Sequence, residues 1–185
     1  MTQPFGSEKI FDFHGVRGRF YNILSDASGL EVDSYFSKVP GIAKDTTVSS
    51  QIRVKAPKLI KRLSVQLIRT SKSTSGNILN VQLNVNTPVN VTSKSKTTTV
   101  KLSPTTRVVW GSKKGIPQVE VTVPSLKILI TLRAKSGGFS NGIGLYLTRT
   151  NIPLKAPVKG VLGVSYVPPG GRDAVVGDFF AGFDG

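Results

Sequence analysis

The chain holds a single histidine, His14, and any relay that needs an imidazole must run through it. Asp12 precedes it by two positions, and Ser25 and Asp26 follow further on, so the residue types of a Ser-His-Asp relay are present in one stretch. Such a relay needs a hydroxyl held against the imidazole and a carboxylate behind it. Here Asp12 and His14 alternate on one face of an extended segment, with no nucleophile at a telling spacing. His14 is therefore read as capping or packing against the turn Gly15-Val-Arg-Gly18. One histidine, no cysteine and dispersed carboxylates fall short of a zinc or calcium ligand set. Hydrolysis of a glycoside needs two opposed carboxylates, and Glu120 stands alone in the middle of the chain. The glycine-rich run Gly137 to Gly144 suggests a phosphate loop, but no Gly-Lys-Ser/Thr ending and no helix follow it. A β-hairpin loop is the better reading. The sequence thus predicts no catalytic residues, no metal site and no cofactor.

Charge is the more informative quantity. The 185 residues carry 25 Lys/Arg against 10 Asp/Glu, a formal net charge of +15. The distribution is lopsided: between Thr46 and Arg172 there are 20 basic residues and one acid, Glu120. A body this cationic repels itself at low salt, and its natural complement is a polyanion or an acidic protein surface. The basic residues are spread over many segments, and no aromatic RNA-binding motif or zinc finger accompanies them, which argues against sequence-specific nucleic-acid recognition. Non-specific polyanion contact stays open. Without cysteine there is no disulfide framework. No apolar run approaches the roughly 18 residues of a membrane span, and no apolar core follows a basic start as in a secretory leader. An intracellular or virion-associated location is the expectation.

The segments that must position these residues alternate with period two. Leu30, Val32 and Phe36 alternate with Glu31, Asp33 and Tyr35; Leu63, Val65 and Leu67 with Arg62, Ser64 and Gln66; Leu79, Val81, Leu83 and Val85 with Asn80, Gln82, Asn84 and Asn86. Val119, Val121 and Val123, and then Leu126, Ile128, Ile130 and Leu132, follow the same rule. That pattern marks half-buried strands. Val48, Ile52 and Val54 are assigned to one strand face, and Phe11, Phe13, Phe20 and Trp110 to the core. Gly111 to Gly115 reads as a hairpin loop, and Leu145 to Arg149 as the strand after the glycine-rich run. No stretch favours a helix, and Val, Ile and Thr suit pleated, half-buried surfaces. Ten or more short strands predict an all-β fold, an antiparallel two-sheet β-sandwich or flattened barrel. The expected organisation is a lead-in at 1–9, one β-domain at 10–168 and a Gly/Phe-rich C-terminal arm at 169–185. Pro168 and Pro169 cannot continue a central strand.

Two pieces of the chain carry a family resemblance. Phe11-Asp-Phe-His-Gly15, followed by Tyr21-Asn-Ile-Leu-Ser-Asp26 and the strand Leu30 to Phe36, resembles the opening of von Willebrand factor type D-like domains, closest to the root-cap (late-embryogenesis-type) branch. Pro157-Val-Lys-Gly-Val-Leu-Gly163 with Tyr166 is similar to the closing motif of the same group, so the resemblance spans most of residues 10–168. It implies an antiparallel two-sheet domain used for structure and association, with no enzymatic activity to inherit. The family's acidic lead-in, linked in some members to calcium, is replaced here by Met1 to Gly6 without a carboxylate, so no calcium site carries over. The cystines of its extracellular members are absent.

Together these observations point to a non-catalytic structural or interaction protein, a basic β-domain building block of a larger assembly such as a virion, where it would act as a minor capsid or cementing protein. Its expected partners are other subunits with acidic surfaces. The alternative is a polyanion-binding module for nucleic acid, acidic polysaccharide or an anionic surface. The residues singled out for interaction are Lys113, Lys114, Arg133 and Lys135 in the body, and Phe179, Phe180 and Phe183 in the arm, which either folds back or reaches a neighbour.

Overall fold

The structure is a computed structural model that describes residues 15–38, 47–68, 77–133, 142–150 and 152–163. Within them the chain forms eleven strands: β1 (Phe20–Ser25), β2 (Glu31–Lys38), β3 (Thr47–Ala56), β4 (Ile60–Ile68), β5 (Ile78–Leu83), β6 (Val89–Val91), β7 (Thr98–Lys101), β8 (Arg107–Lys113), β9 (Ile116–Val123), β10 (Leu126–Arg133) and β11 (Gly142–Arg149). They make two antiparallel sheets, one of six strands in the order β1-β2-β3-β4-β5-β6 and one of five in the order β11-β10-β9-β8-β7. Within each sheet sequential strands are neighbours, so each sheet is a meander. Neither sheet closes into a barrel, which settles the sandwich over the flattened barrel.

The predicted alternation is what builds the core. Val32, Ile52, Val54, Leu63, Val65, Leu79 and Val81 point inward from the first sheet, and Val108, Val119, Val121, Leu126, Ile128 and Ile130 from the second, all within one buried apolar cluster. Trp110 packs partly buried against it, as expected. Each fully buried aliphatic side chain contributes roughly 1.5–3 kcal/mol relative to exposure, so the interface between the sheets is the main source of stability.

Three expectations about phase need correction. Val48 does not share a face with Ile52 and Val54, because a β-bulge separates Ser49 from Gln51 in the β2–β3 register and reverses the alternation. Ser49 instead reaches the inner side, where its hydroxyl lies 2.8 Å from that of buried Ser34. Val85 does not continue the inner face of β5. Asn84 turns the chain with φ 55°, its side chain accepts from the Lys61 and Arg62 amides, and Val85 is left 94% exposed. β11 begins at Gly142, inside the run read as loop, because Gly142 and Gly144 pair with Arg133 and Thr131 of β10.

Residues 159–162 seal one edge of the six-stranded sheet. Lys159 exchanges backbone hydrogen bonds with Ser25, the Val161 amide donates to the Asn22 carbonyl, and the Leu162 amide donates to that of Ile23. Asp26 anchors the seam with its carboxylate, which accepts from the amides of Ser28, Leu30 and Lys155 and from the Ser28 hydroxyl. Gly160 is required there: φ is +95°, and an added Cβ would lie 2.7 Å from the Ile23 carbonyl carbon.

Candidate functional site

The two sheets differ in how their outer faces are charged. On the six-stranded sheet the outward row Asn22, Asp33, Arg53, Ser64 and Gln82 lies beside the row Phe20, Tyr35, Gln51, Gln66 and Asn80. Charges and amides answer each other within this face. Lys55 Nζ lies 2.7 Å from Glu31 Oε2, Asn22 donates to Asp33, Gln51 donates to Ser64, and Asn80 donates to Asn90. The Arg53 guanidinium lies 3.6 Å over the Phe20 ring, which in turn tilts against Tyr35 at 5.0 Å. Phe20 is therefore a surface platform and not core, at 36% exposure. Burial under this layer holds the Asp33 carboxyl above its ordinary range, with Asn22 pulling the other way and Glu31 adding to the rise. The same desolvation lowers Arg53, and Glu31 raises Lys55.

The outer face of the five-stranded sheet is cationic. Lys101 pairs with Arg107, Arg107 with Thr122, and Thr122 with Lys127, so three strands bring these cations into one row. Glu120, the only acid between Thr46 and Arg172, stands in the middle of this face. Lys127 Nζ lies 3.1 Å from its carboxylate and Arg107 Nη2 3.8 Å, with both cations about half exposed. One carboxylate held between two basic groups keeps the row together without neutralising it.

Lys113 and Lys114 extend this face at the β8–β9 hairpin. The turn is tighter than the predicted loop: Gly111 and Ser112 are strand residues, and only Lys114 (φ 53°) and Gly115 (φ 75°) lie between the paired Lys113 and Ile116. Two consecutive left-handed residues give the twist that an antiparallel hairpin needs. Beside the turn opens a shallow groove of about 430 Å³, with Lys113, Lys114 and Ile116 on its lip, Gln118 and Thr131 on its floor and Tyr146 as a wall. Ile116 is 38% exposed and Tyr146 46%. Arg133 ends β10 at the same extremity, paired with Gly142. The structure therefore brings Lys113, Lys114 and the Arg133 backbone to one end of one sheet; Lys135, Phe179, Phe180 and Phe183 lie outside the described residues. Lys101, Arg107, Lys127, Ile116 and Tyr146 were not singled out from sequence, although outward phase in an alternating strand was a usable signal for Lys127.

The residues considered for chemistry are placed otherwise. His14 and Asp12 lie outside the described residues. The Ser25 hydroxyl donates to Asn22 Oδ1, and the Asp26 carboxylate is occupied by the turn it holds. Among the described residues no three His, Cys, Asp or Glu side chains gather as a metal site, and no helix is long and apolar enough to cross a membrane. A second hollow of about 270 Å³ lies at the opposite end of the sandwich, walled mainly by apolar residues of the turns there, including Leu30, Leu59, Val123 and Ile152. No family model, curated protein or solved structure matches the chain.

Proposed function

We propose that the protein is a non-catalytic interaction domain that docks an acidic partner on the outer face of its five-stranded sheet, as a building block of a larger assembly. The observation that carries this reading is the unequal charge of the two faces. Lys101, Arg107, Lys113, Lys114 and Lys127 share one sheet with a single carboxylate, Glu120, whereas the other sheet sets two carboxylates, Glu31 and Asp33, beside Arg53 and Lys55, with Lys38, Lys61 and Arg62 as its further cations. A flat row of cations on rigid strands loses little conformational freedom on binding and recognises spacing of negative charge more than any one chemical group. A shell of repeated subunits, a virion among them, is the assembly in view, with the protein lining or cementing acidic neighbours. The type D-like resemblance belongs to the same proposal. What supports it is that its opening and closing motifs, around Asn22–Asp26 and Lys159–Gly163, are the segments that pair with each other.

The test is salt-resolved binding to an acidic surface, with heparin as the probe. If five surface cations engage, the logarithm of affinity falls with the logarithm of salt at a slope of roughly −4. Binding that is flat between low and moderate salt excludes the cationic face. Recovery of the native protein only as a free monomer, never with particles or partner subunits, excludes the assembly.

A further inference from the structure

The groove beside the β8–β9 turn offers cations and apolar surface together, and one segment of this chain offers the reverse of both. Residues 173–185 contain Asp173, Asp178 and Asp184, the three phenylalanines Phe179, Phe180 and Phe183, and no lysine or arginine. We propose that this acidic, phenylalanine-rich segment docks in the groove bounded by Lys113, Lys114, Ile116 and Tyr146 of its own chain, and so competes with the acidic partner of the five-stranded face. The competition rests on the function proposed above; the docking itself does not.

Three observations support it. The first is complementarity: the lip carries Lys113, Lys114 and the 38% exposed Ile116, so carboxylates and phenyl rings in one peptide meet ammonium groups and apolar surface in one depression. The second is position. After Lys159, paired with Ser25, the chain turns at Gly160 (φ 95°), and Val161 and Leu162 pin that turn to Asn22 and Ile23, midway along β1 and two or three residues from its Phe20 end. That end of the first sheet is the groove's end of the second, because Gly142, which pairs with Arg133, lies against Val48 of β3. The described chain therefore stops at Gly163 beside the middle of β1, roughly 7–10 Å along the strand from the groove's end. The third is reach. Fifteen residues lie between Gly163 and Phe179, enough to span roughly 50 Å when extended, more than the width of a sandwich of this size. A tether of this kind supplies an effective concentration on the order of 1 mM, so a contact with an intrinsic Kd of about 0.1 mM is mostly closed within one chain and mostly open between dilute copies.

Zero-length carbodiimide coupling tests this on the full-length protein, using an equal mixture of unlabelled and heavy-nitrogen-labelled chains. The expected product joins Asp173, Asp178 or Asp184 to the amino group of Lys113 or Lys114 within one isotopic chain. A variant with Phe179→Ser, Phe180→Ser and Phe183→Ser keeps every charge and should lose this product by about fivefold or more, as should Ile116→Ser. Added heparin should suppress it. Three results overturn the proposal: no coupling to these lysines, coupling undiminished by the serine variants, or products mixed equally between isotopes, which would mean docking between copies. Heparin affinity of the native and serine-variant chains separates the two claims. If neither binds heparin, the acidic-partner reading fails while the coupling still decides the docking. If both bind equally tightly, the competition fails while that reading stands.

Discussion

The two sheets share an antiparallel meander and one core, yet they treat their outer faces differently. On the six-stranded sheet the two carboxylates stand against cations, Glu31 with Lys55 and Asp33 opposite Arg53, with Lys38, Lys61 and Arg62 in addition; its amides bond to one another, its aromatic pair is covered by Arg53, and its β1 edge is held by residues 159–162. The five-stranded sheet is left with a surplus of positive charge around one carboxylate. On the function proposed above, polar residues serve folding on one face and recognition on the other, although strand patterning alone makes the faces look equivalent.

If that division holds, damage to the first sheet should cost stability and damage to the second should cost binding. The largest effect is expected from Gly160→Ala. The new Cβ has to displace the Ile23 backbone or strip the closing segment from β1, a loss of roughly 2–4 kcal/mol read by urea unfolding, with heparin binding of the folded fraction unchanged. A loss below about 0.5 kcal/mol would show that the seam does not hold the sheet edge. Next in size is the charge reversal Lys101→Glu, Arg107→Glu and Lys127→Glu. It should weaken heparin binding by about 10- to 100-fold and flatten the salt slope by about 3. Reversing Lys55 and Arg62 on the other face should change binding far less; equal losses would erase the distinction between the faces.

A smaller effect sharpens the comparison. Glu120→Gln frees Arg107 and Lys127 from their shared carboxylate and should strengthen heparin binding by about 2- to 3-fold, at a stability cost of under about 1 kcal/mol. Unchanged affinity would mean that these two cations take no part in binding. The smallest effect lies on the six-stranded face, where Asp33 is held above its ordinary pKa of 3.8, chiefly by burial. The native state then binds this proton more tightly than the unfolded chain does. Its contribution to stability is full below the ordinary value and is lost as pH rises through the folded one. Asp33→Asn should therefore flatten the mild-acid part of the stability–pH curve, and a parallel curve would remove Asp33 as its cause.

Much of the strand inventory was legible because alternation is a local consequence of the pleat. Val119 to Val123 and Leu126 to Leu132 could be placed without knowing their neighbours. Val48 and Val85 could not, since a single extra residue at a bulge or one left-handed Asn84 reverses phase, and neither leaves a mark in hydropathy. Lys113 and Lys114 were visible as a basic turn, whereas the groove they help to line draws residues from four strands, β8 to β11.

The all-β class, most inward-facing residues and the cationic excess follow from residue types and spacing, because side-chain period, burial preference and formal charge are properties of single residues and their immediate neighbours. The packing of strands set which cations share a face, that Glu120 stands between Arg107 and Lys127, that Phe20 supports Arg53 at the surface, and that residues 159–162 seal β1. Those facts depend on register between strands and on which sheet each strand joins. Register is set by bulges, turn geometry and the fit of two sheets across one core, and these long-range constraints have no counterpart in the spacing of residues along the chain.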